Sequence, residues 1–414
     1  MQSLTKFIRT SVILLILSFT LLSAQNPTPT ITTEKVADNL YKMFIYVDDN
    51  SSINIYAFIG KDGVLLIDGG FANTAEKIKD ELKKITDKEI KYIINTHSDG
   101  DHTNNNALFN QSAVIIAHNN CRTQLMANAR FPIKGLPNIT FQDSTTIFFN
   151  EEEILMRYFP GHTTTDITVY FKKAGIAFLG DMIFSDAIPL IHPYGNIYMY
   201  EKSLKALTTL FPANTRIFVS HGREIQVKEI KPYYEMFTKT KDIVLKAIKS
   251  GKLPDDVKKA DLLKDYKSWN SKLFPSMDVG AWIDNLYSAL NEGKKLSAYN
   301  VLKGIFDKSG KDAAIAKYKN MNSPGGKKYF FIETEFNAWG YALLGAKNTD
   351  MAIEVFKMNT EKFPESWNTF DSLGETYAAI GKKELAIANY EKSLKLNPNS
   401  QSGKDALKQL KGNN

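Results

Sequence analysis

The sequence predicts an α/β domain followed by an all-helical region, and three observations carry that reading. Between residues 40 and 222, short runs rich in β-branched and aromatic residues alternate with stretches of helical spacing. Beyond Arg223 the texture changes to Lys, Leu, Ala and Tyr at helical periodicity, with few strand signals. At the C-terminus the chain resembles itself at an offset of 34 residues. Gly340 aligns with Gly374, Ala352 with Ala386, Ile353 with Ile387, Phe356 with Tyr390, Pro364 with Pro398 and Ser366 with Ser400.

The first element is N-terminal. Lys6 and Arg9 precede an apolar run, Ser11–Leu22, which small residues follow as far as Ala24. That run falls short of the roughly 20 residues a bilayer span needs. Residues 1–24 therefore read as a secretory signal peptide, giving an exported, periplasmic or secreted chain that begins near Gln25. The alternative is an uncleaved N-terminal anchor. Residues 25–37, opening on Asn26-Pro27-Thr28-Pro29-Thr30, read as a flexible leader. No later stretch reaches 18 apolar residues, so no stable membrane span is expected after cleavage.

The α/β part is placed at 38–225. Its expected strands are Tyr41–Val47, Ile53–Gly60, Val64–Asp68, Ile90–Thr96, Ala113–Ala117, Ile154–Pro160, Ile167–Phe171, Ile176–Asp181 and Arg216–Ser220. Thr74–Ile85, Asn119–Ala127 and Tyr200–Leu210 carry helical spacing. Residues 226–335 form the helical region, and 336–412 hold the repeats. Ala314, Ile315 and Tyr318 make a weaker copy 38 residues before Ala352, Ile353 and Phe356.

Composition narrows the chemistry. The chain has 414 residues, 43% hydrophobic and 23% charged, which excludes wholesale disorder and suggests two or three domains. A net charge of +7 spread over that length gives no reason to expect nucleic acid as a partner. One cysteine, Cys121, excludes internal disulfides, a Cys-rich zinc finger and a CxxC redox pair. The chemistry falls to His, Asp, Glu or hydroxyl groups.

The six histidines are informative by placement. His97-Ser98-Asp99-Gly100-Asp101-His102 follows the strand ending near Ile94 and puts four donor groups in six residues. A tight loop with Gly100 can fold such groups around one or two cations, imidazole suiting Zn, Fe, Ni or Cu and carboxylate adding hard oxygen. His162 after Gly161, Asp181 after Gly180, and His221 before Gly222 each follow a strand in the same way. Strand ends present side chains to a shared cleft. Four segments with one pattern point to metal, where a single histidine would point to packing.

These segments resemble the metallo-β-lactamase-fold metallo-hydrolase superfamily, with its H-x-H-x-D-H, GH, D and GH pattern. Val64–Asp68 with Gly69-Gly70 matches the early strand of that family, and the 34-residue units resemble tetratricopeptide repeats. The resemblance implies a four-layer αββα sandwich with a dinuclear site at one edge. By it, His97, Asp99 and His162 would hold the first metal. Asp101, His102 and His221 would hold the second, with Asp181 bridging and Asp101 also catalytic. Asp68 would support a ligand histidine, since ligating imidazoles usually donate their other N–H to a carboxylate. Asp99 departs from the family's second histidine, Asn104-Asn105 from its Gly-Gly, and Asp181 from the cysteine of its best-known antibiotic-hydrolysing class, which leaves Cys121 no ligand role. His118 reads as structural, and Trp269, Trp282 and Trp339 as core. His192 and Tyr194, with Tyr198, are substrate contacts or surface residues, and specificity is expected in loops 124–150 and 184–200.

The implied cofactors are two divalent ions, zinc first, with Fe or Mn favoured by the third carboxylate, Asp99. The implied reaction is hydrolysis of a small-molecule ester, lactone, thioester, amide or phosphoester by a metal-bridging hydroxide. One alternative is a di-iron redox centre. The oxygen- and nitric-oxide-reducing members carry a flavin domain, which this chain lacks. Another is a non-enzymatic scaffold whose repeat tail binds a protein partner; the tail reads equally as a plain helical cap.

Overall fold

The computed structural model describes residues 29–48, 51–110, 112–192, 195–274, 277–291, 296–321 and 329–412. Residues 1–24, where a signal peptide is expected, and Tyr194 lie outside them. One sheet runs in chain order through β1 (Thr30–Ala37), β2 (Leu40–Asp48), β3 (Ser51–Gly60), β4 (Gly63–Ile67), β5 (Ile90–Ile94), β6 (Val114–His118) and β7 (Ile139–Phe141). The second runs in reverse from β13 (Ile225–Gln226) through β12 (Arg216–Phe218), β11 (Ile176–Phe178), β10 (Ile167–Phe171) and β9 (Glu152–Tyr158) to β8 (Ser144–Phe149).

Strand periodicity builds the layers. In β4, Leu65 and Ile67 point into the space between the sheets, where they meet Met156, Val169 and Phe178. Val64 and Leu66 point outward onto Ala75, Ile78 and Leu82 of the helix Ala75–Lys83. The second sheet alternates likewise: Phe178 and Phe218 face inward, while Ala177 and Ile217 face an outer helical layer. The result is the four-layer αββα sandwich.

Two expectations are corrected. The supposed leader contains β1, which pairs antiparallel with β2 from Thr30↔Tyr46 to Ala37↔Leu40 across a tight turn where Asn39 takes φ 62°. Its prolines and threonines masked an alternating edge strand. Within the expected loop 124–150, residues 139–141 and 144–149 are strands instead.

The helical region divides. The helices Val227–Lys249 and Val279–Leu290 share one core with the second sheet, so Tyr233, Phe237, Trp282 and Tyr287 pack with Ile217 and Val219. Trp282 donates its indole N–H to Thr240 Oγ1 at 2.9 Å. Trp269 is half-buried in a short 3-10 turn against the same core. A second core begins at Ala298 and takes in Ala314, Tyr318, Trp339, Phe356, Tyr377 and Tyr390. Here the 34-residue period has a physical meaning. A Cβ at Gly340 would stand 2.4 Å from the Phe356 ring, and one at Gly374 3.3 Å from Tyr390, so each small residue seats the aromatic of its own repeat. Among the described residues no helix is long and apolar enough to cross a membrane.

Candidate metal centre

The donor segments leave the C-terminal ends of strands in both sheets and converge at one edge. Asp68 follows β4, and Thr96 to His102 follow β5. His162, Asp181 and His221 follow β9, β11 and β12. Cross-sheet bonds fix the seam: Ile167 N–H donates to Thr96 O at 2.9 Å, and Asn54 of β3 donates from its backbone to Ser220 O at 2.7 Å. Gly180 takes φ +54°, and a Cβ there would meet Thr96 Oγ1 at 2.8 Å, so the Asp181 turn needs glycine for both conformation and clearance.

Three groups of donor atoms form, each with its atoms within 4.8 Å of one another: His97, Asp99 and His162; Asp101, His102 and His221; and His97, His102 and Asp181 between them. Asp181 Oδ2 lies 3.6 Å from His162 Nε2 and 3.2 Å from His221 Nε2, so one carboxylate reaches both outer groups. His192 is also drawn in, its Nε2 2.9 Å from Asp99 Oδ2. Its ring sits edge-on to His162 with centroids 4.8 Å apart.

The outer partners set the imidazole tautomers. His162 Nδ1 stands 2.8 Å from Leu190 O, an acceptor only, so Nδ1 carries a proton and Nε2 is the nitrogen turned inward. Asp68 Oδ2 lies 2.9 Å from His102 Nδ1 and accepts the Thr96 hydroxyl at 2.8 Å. That hydroxyl is in turn 3.1 Å from His97 Nδ1. Buried His97 Nε2, His102 Nε2 and Asp181 Oδ1 find no hydrogen-bond partner among the described residues. Buried polar atoms are ordinarily satisfied. Atoms of metal-binding type left unsatisfied and pointed at one another fit divalent cations.

Electrostatics agree. Burial alone would lower His162 and His221, but the Asp99 hydrogen bond pushes His162 up to about 9, and the Asp181 and Asp101 charges push His221 up to about 10. Burial would raise Asp181, yet the His221 and His102 charges hold it far below the usual carboxylate range. Carboxylates stay ionised here, and a cation that binds must displace the imidazole protons.

Other predicted residues sit apart. His118 stacks on Tyr158 at 3.8 Å, and its Nδ1 caps the next helix by accepting from Asn120 N–H at 3.1 Å. Cys121 is fully buried in a small apolar cluster, where burial raises its thiol pKa.

Sequence reasoning missed Asp166. Its buried carboxylate accepts Gly161 N–H and Thr163 N–H at 2.8 Å each and the Thr163 hydroxyl at 2.6 Å, and so shapes the turn that carries His162. The signal was a Thr-x-x-Asp spacing, too common to single out. Asp166→Ala is expected to cost about 3 kcal/mol or more of stability by orphaning these donors. It should also weaken metal binding by about 10–100-fold, as loss of an outer partner does. Denaturant melts and zinc titrations of the two proteins check both.

With this geometry, residues 48–223 match the family model of the metallo-beta-lactamase superfamily, and residues 369–400 match the tetratricopeptide repeat. This segment is thus similar to the metallo-β-lactamase superfamily. A probable metallo-hydrolase of Methanocaldococcus jannaschii is 29% identical to this chain over 205 residues, covering 45% of this chain and 95% of the relative. A hydroxyacylglutathione hydrolase of Pelagibacter ubique is 28% identical over 151 residues, 34% of this chain and 57% of the relative. Among solved structures, a metallo-beta-lactamase from Pontibacter korlensis aligns at 18% identity with a TM-score of 0.46, covering 50% of this chain and 99% of its own. Asp99, Asp101, His162, Asp181 and His221 line a cavity of about 680 Å³, whose walls include Phe71, Leu125, Leu190, His192, Phe274 and Met277.

Proposed function

We propose that this chain is an exported dinuclear-metal hydrolase, zinc being the first candidate, that cleaves a small-molecule ester, lactone, thioester, amide or phosphoester. The family match, the hydrolase relatives and the converged donor atoms support a metal-dependent hydrolase. The observation that carries the dinuclear reading is the pair of outer donor groups with Asp181 in reach of both. His97, Asp99 and His162 would hold one ion, and Asp101, His102 and His221 the other. When bound there, such ions activate water near neutral pH and polarise the substrate oxygen.

The chain's own residues do the rest. Asp101 keeps some exposure, and its Oδ2 lies 3.3 Å from His221 Nε2. Burial would raise its pKa, but the His102 charge and the His221 hydrogen bond hold it low, so it stays an acceptor that can orient water and take up its proton. Phe184 stacks against one face of His221 at 5.3 Å and Phe274 meets it edge-on at 5.2 Å, shielding that imidazole from solvent.

Export rests on the basic, apolar and small-residue order of residues 1–24. The repeat tail is assigned to a protein partner on the strength of the repeat match. The oxygen-rich donor set that includes Asp99 is the one feature favouring the di-iron alternative. A hydrolase substrate panel on metal-quantified protein tests the reading, with His162→Ala as control. Two zincs per chain and turnover lost in the control are expected; two irons and no hydrolysis overturn it.

A further inference from the structure

Resting on the hydrolase reading, we infer that this site takes an uncharged, apolar acyl substrate, a neutral ester, thioester or lactone with a hydrocarbon chain. The cavity walls are Phe71, Leu125, Phe184, Leu190, Phe274 and Met277, and beside the donor groups its polar lining is Ser52, Ser98, Gln124, Asn128 and His192. No Lys or Arg lines it among the described residues. The sequence neighbours of its lining that lie outside them, Asp49-Asn50, Pro193-Tyr194 and Pro275-Ser276, contain no cation either.

Four cations outside the cavity, Arg223, Arg122, Lys272 and Lys42, are spoken for or walled off. Arg223 is clamped by Asp186 at 2.6 and 2.8 Å and by Glu229 at 2.7 Å. Arg122 donates to Pro137 O at 2.6 Å. Lys272, Arg223 and Lys42 line a neighbouring cavity, which the rings of Phe184, His221 and Phe274 divide from this one.

That apolar wall is built and fixed. Phe274 and Met277 come from the turn between the 3-10 segment Lys264–Trp269 and the helix Val279–Leu290, beyond the matched 48–223 segment. Met277 N–H donates to Phe274 O and Ser271 N–H to Met277 O, both at 2.9 Å. Ile188 N–H ties the facing loop to Trp269 O at 2.8 Å.

A carboxylate on the substrate would lose its hydration against these walls and meet amide and hydroxyl donors but no Lys or Arg to compensate its charge. It would also face Asp99, Asp101 and Asp181, which offset the charge of two bound divalent ions. The same offset leaves little net attraction for a cationic substrate. Phosphomonoesters and phosphodiesters, which are anions, fall outside the class. So does a hydroxyacylglutathione, with its two carboxylates.

Three esters of one chain length test this on full-length, zinc-loaded protein: p-nitrophenyl hexanoate, mono-p-nitrophenyl adipate and p-nitrophenyl 6-aminohexanoate. The hexanoate is expected to have kcat/KM about tenfold or more above both charged esters, which is about 1.4 kcal/mol. Gln124→Lys on the cavity wall, and separately Asn128→Lys at its exposed rim, should each raise the adipate ester at least about threefold relative to the hexanoate. Adipate or aminohexanoate turnover equal to hexanoate overturns the inference and leaves the hydrolase reading standing. An unmoved adipate ratio in both folded Lys variants also overturns it. No turnover of any ester by protein with full metal content sinks the hydrolase reading, and the inference with it.

Discussion

His102→Ala and His221→Ala are each expected to lose about one metal equivalent per chain and more than about 100-fold in hydrolysis, beyond what loss of an outer partner costs. His102 Nε2 lies 3.6 Å from both Asp101 Oδ2 and Asp181 Oδ1, and His221 Nε2 reaches the same two carboxylates at 3.3 and 3.2 Å. Removing either ring leaves Asp101 without a neighbouring imidazole on one side. His118→Ala is the control. Its Nε2 is engaged by Gln142 O at 2.7 Å, so the variant should lose stability through the helix cap while keeping its metals. Elemental analysis with initial rates decides this. A His221→Ala protein with both metals would remove the second donor group from the assignment.

The second large effect concerns where the chain can be cut. A protein ending at Gln226 is expected not to fold, whereas one ending at Asn291 should keep its metals and its turnover. The shorter cut strips Tyr233, Phe237, Trp282 and Tyr287 from the core they share with Ile217, Val219 and Leu204. Each such loss counts for about 3–5 kcal/mol, against a typical total stability of about 5–15 kcal/mol. The longer cut keeps that core except for Phe330, whose ring meets Tyr287 at 5.2 Å, and Ile332. A cut near Gly325, which lies outside the described residues, would separate Ala314 and Tyr318 from Trp339 and Phe356 and split the second core. Circular dichroism and metal content of the two proteins check the difference. A folded, metal-loaded protein ending at Gln226 would show that the outer helices are dispensable.

What was legible in the sequence follows from how local each signal is. The donor segments show because strand, turn and ligand are adjacent in the chain, as in Ile94 to His102. The repeat shows because Gly340 and Phe356 belong to one helix pair and recur at Gly374 and Tyr390. β1 was hidden because its strand partner is β2, and its own composition reads as loop. Asp166 acts on backbone groups that no spacing rule names. His192 reaches Asp99, and Phe274 reaches His221, only through tertiary packing from distant segments. The division of the helical region is equally tertiary. Both halves have the same periodicity, and only the partner surface tells them apart.

The donor groups are split between the sheets: His97, Asp99, Asp101 and His102 hang from the first, and His162, Asp181 and His221 from the second. A bound ion is therefore a cross-link, joining residue 97 to 162 and 102 to 221 around long loops. Closing such loops restricts the unfolded chain much as a covalent bridge does, and affinity for the ion becomes folding free energy. A chain whose single cysteine is buried cannot staple its two halves with sulfur. Chelation would then do more than stop turnover: it would unfasten the seam along which the sandwich is closed.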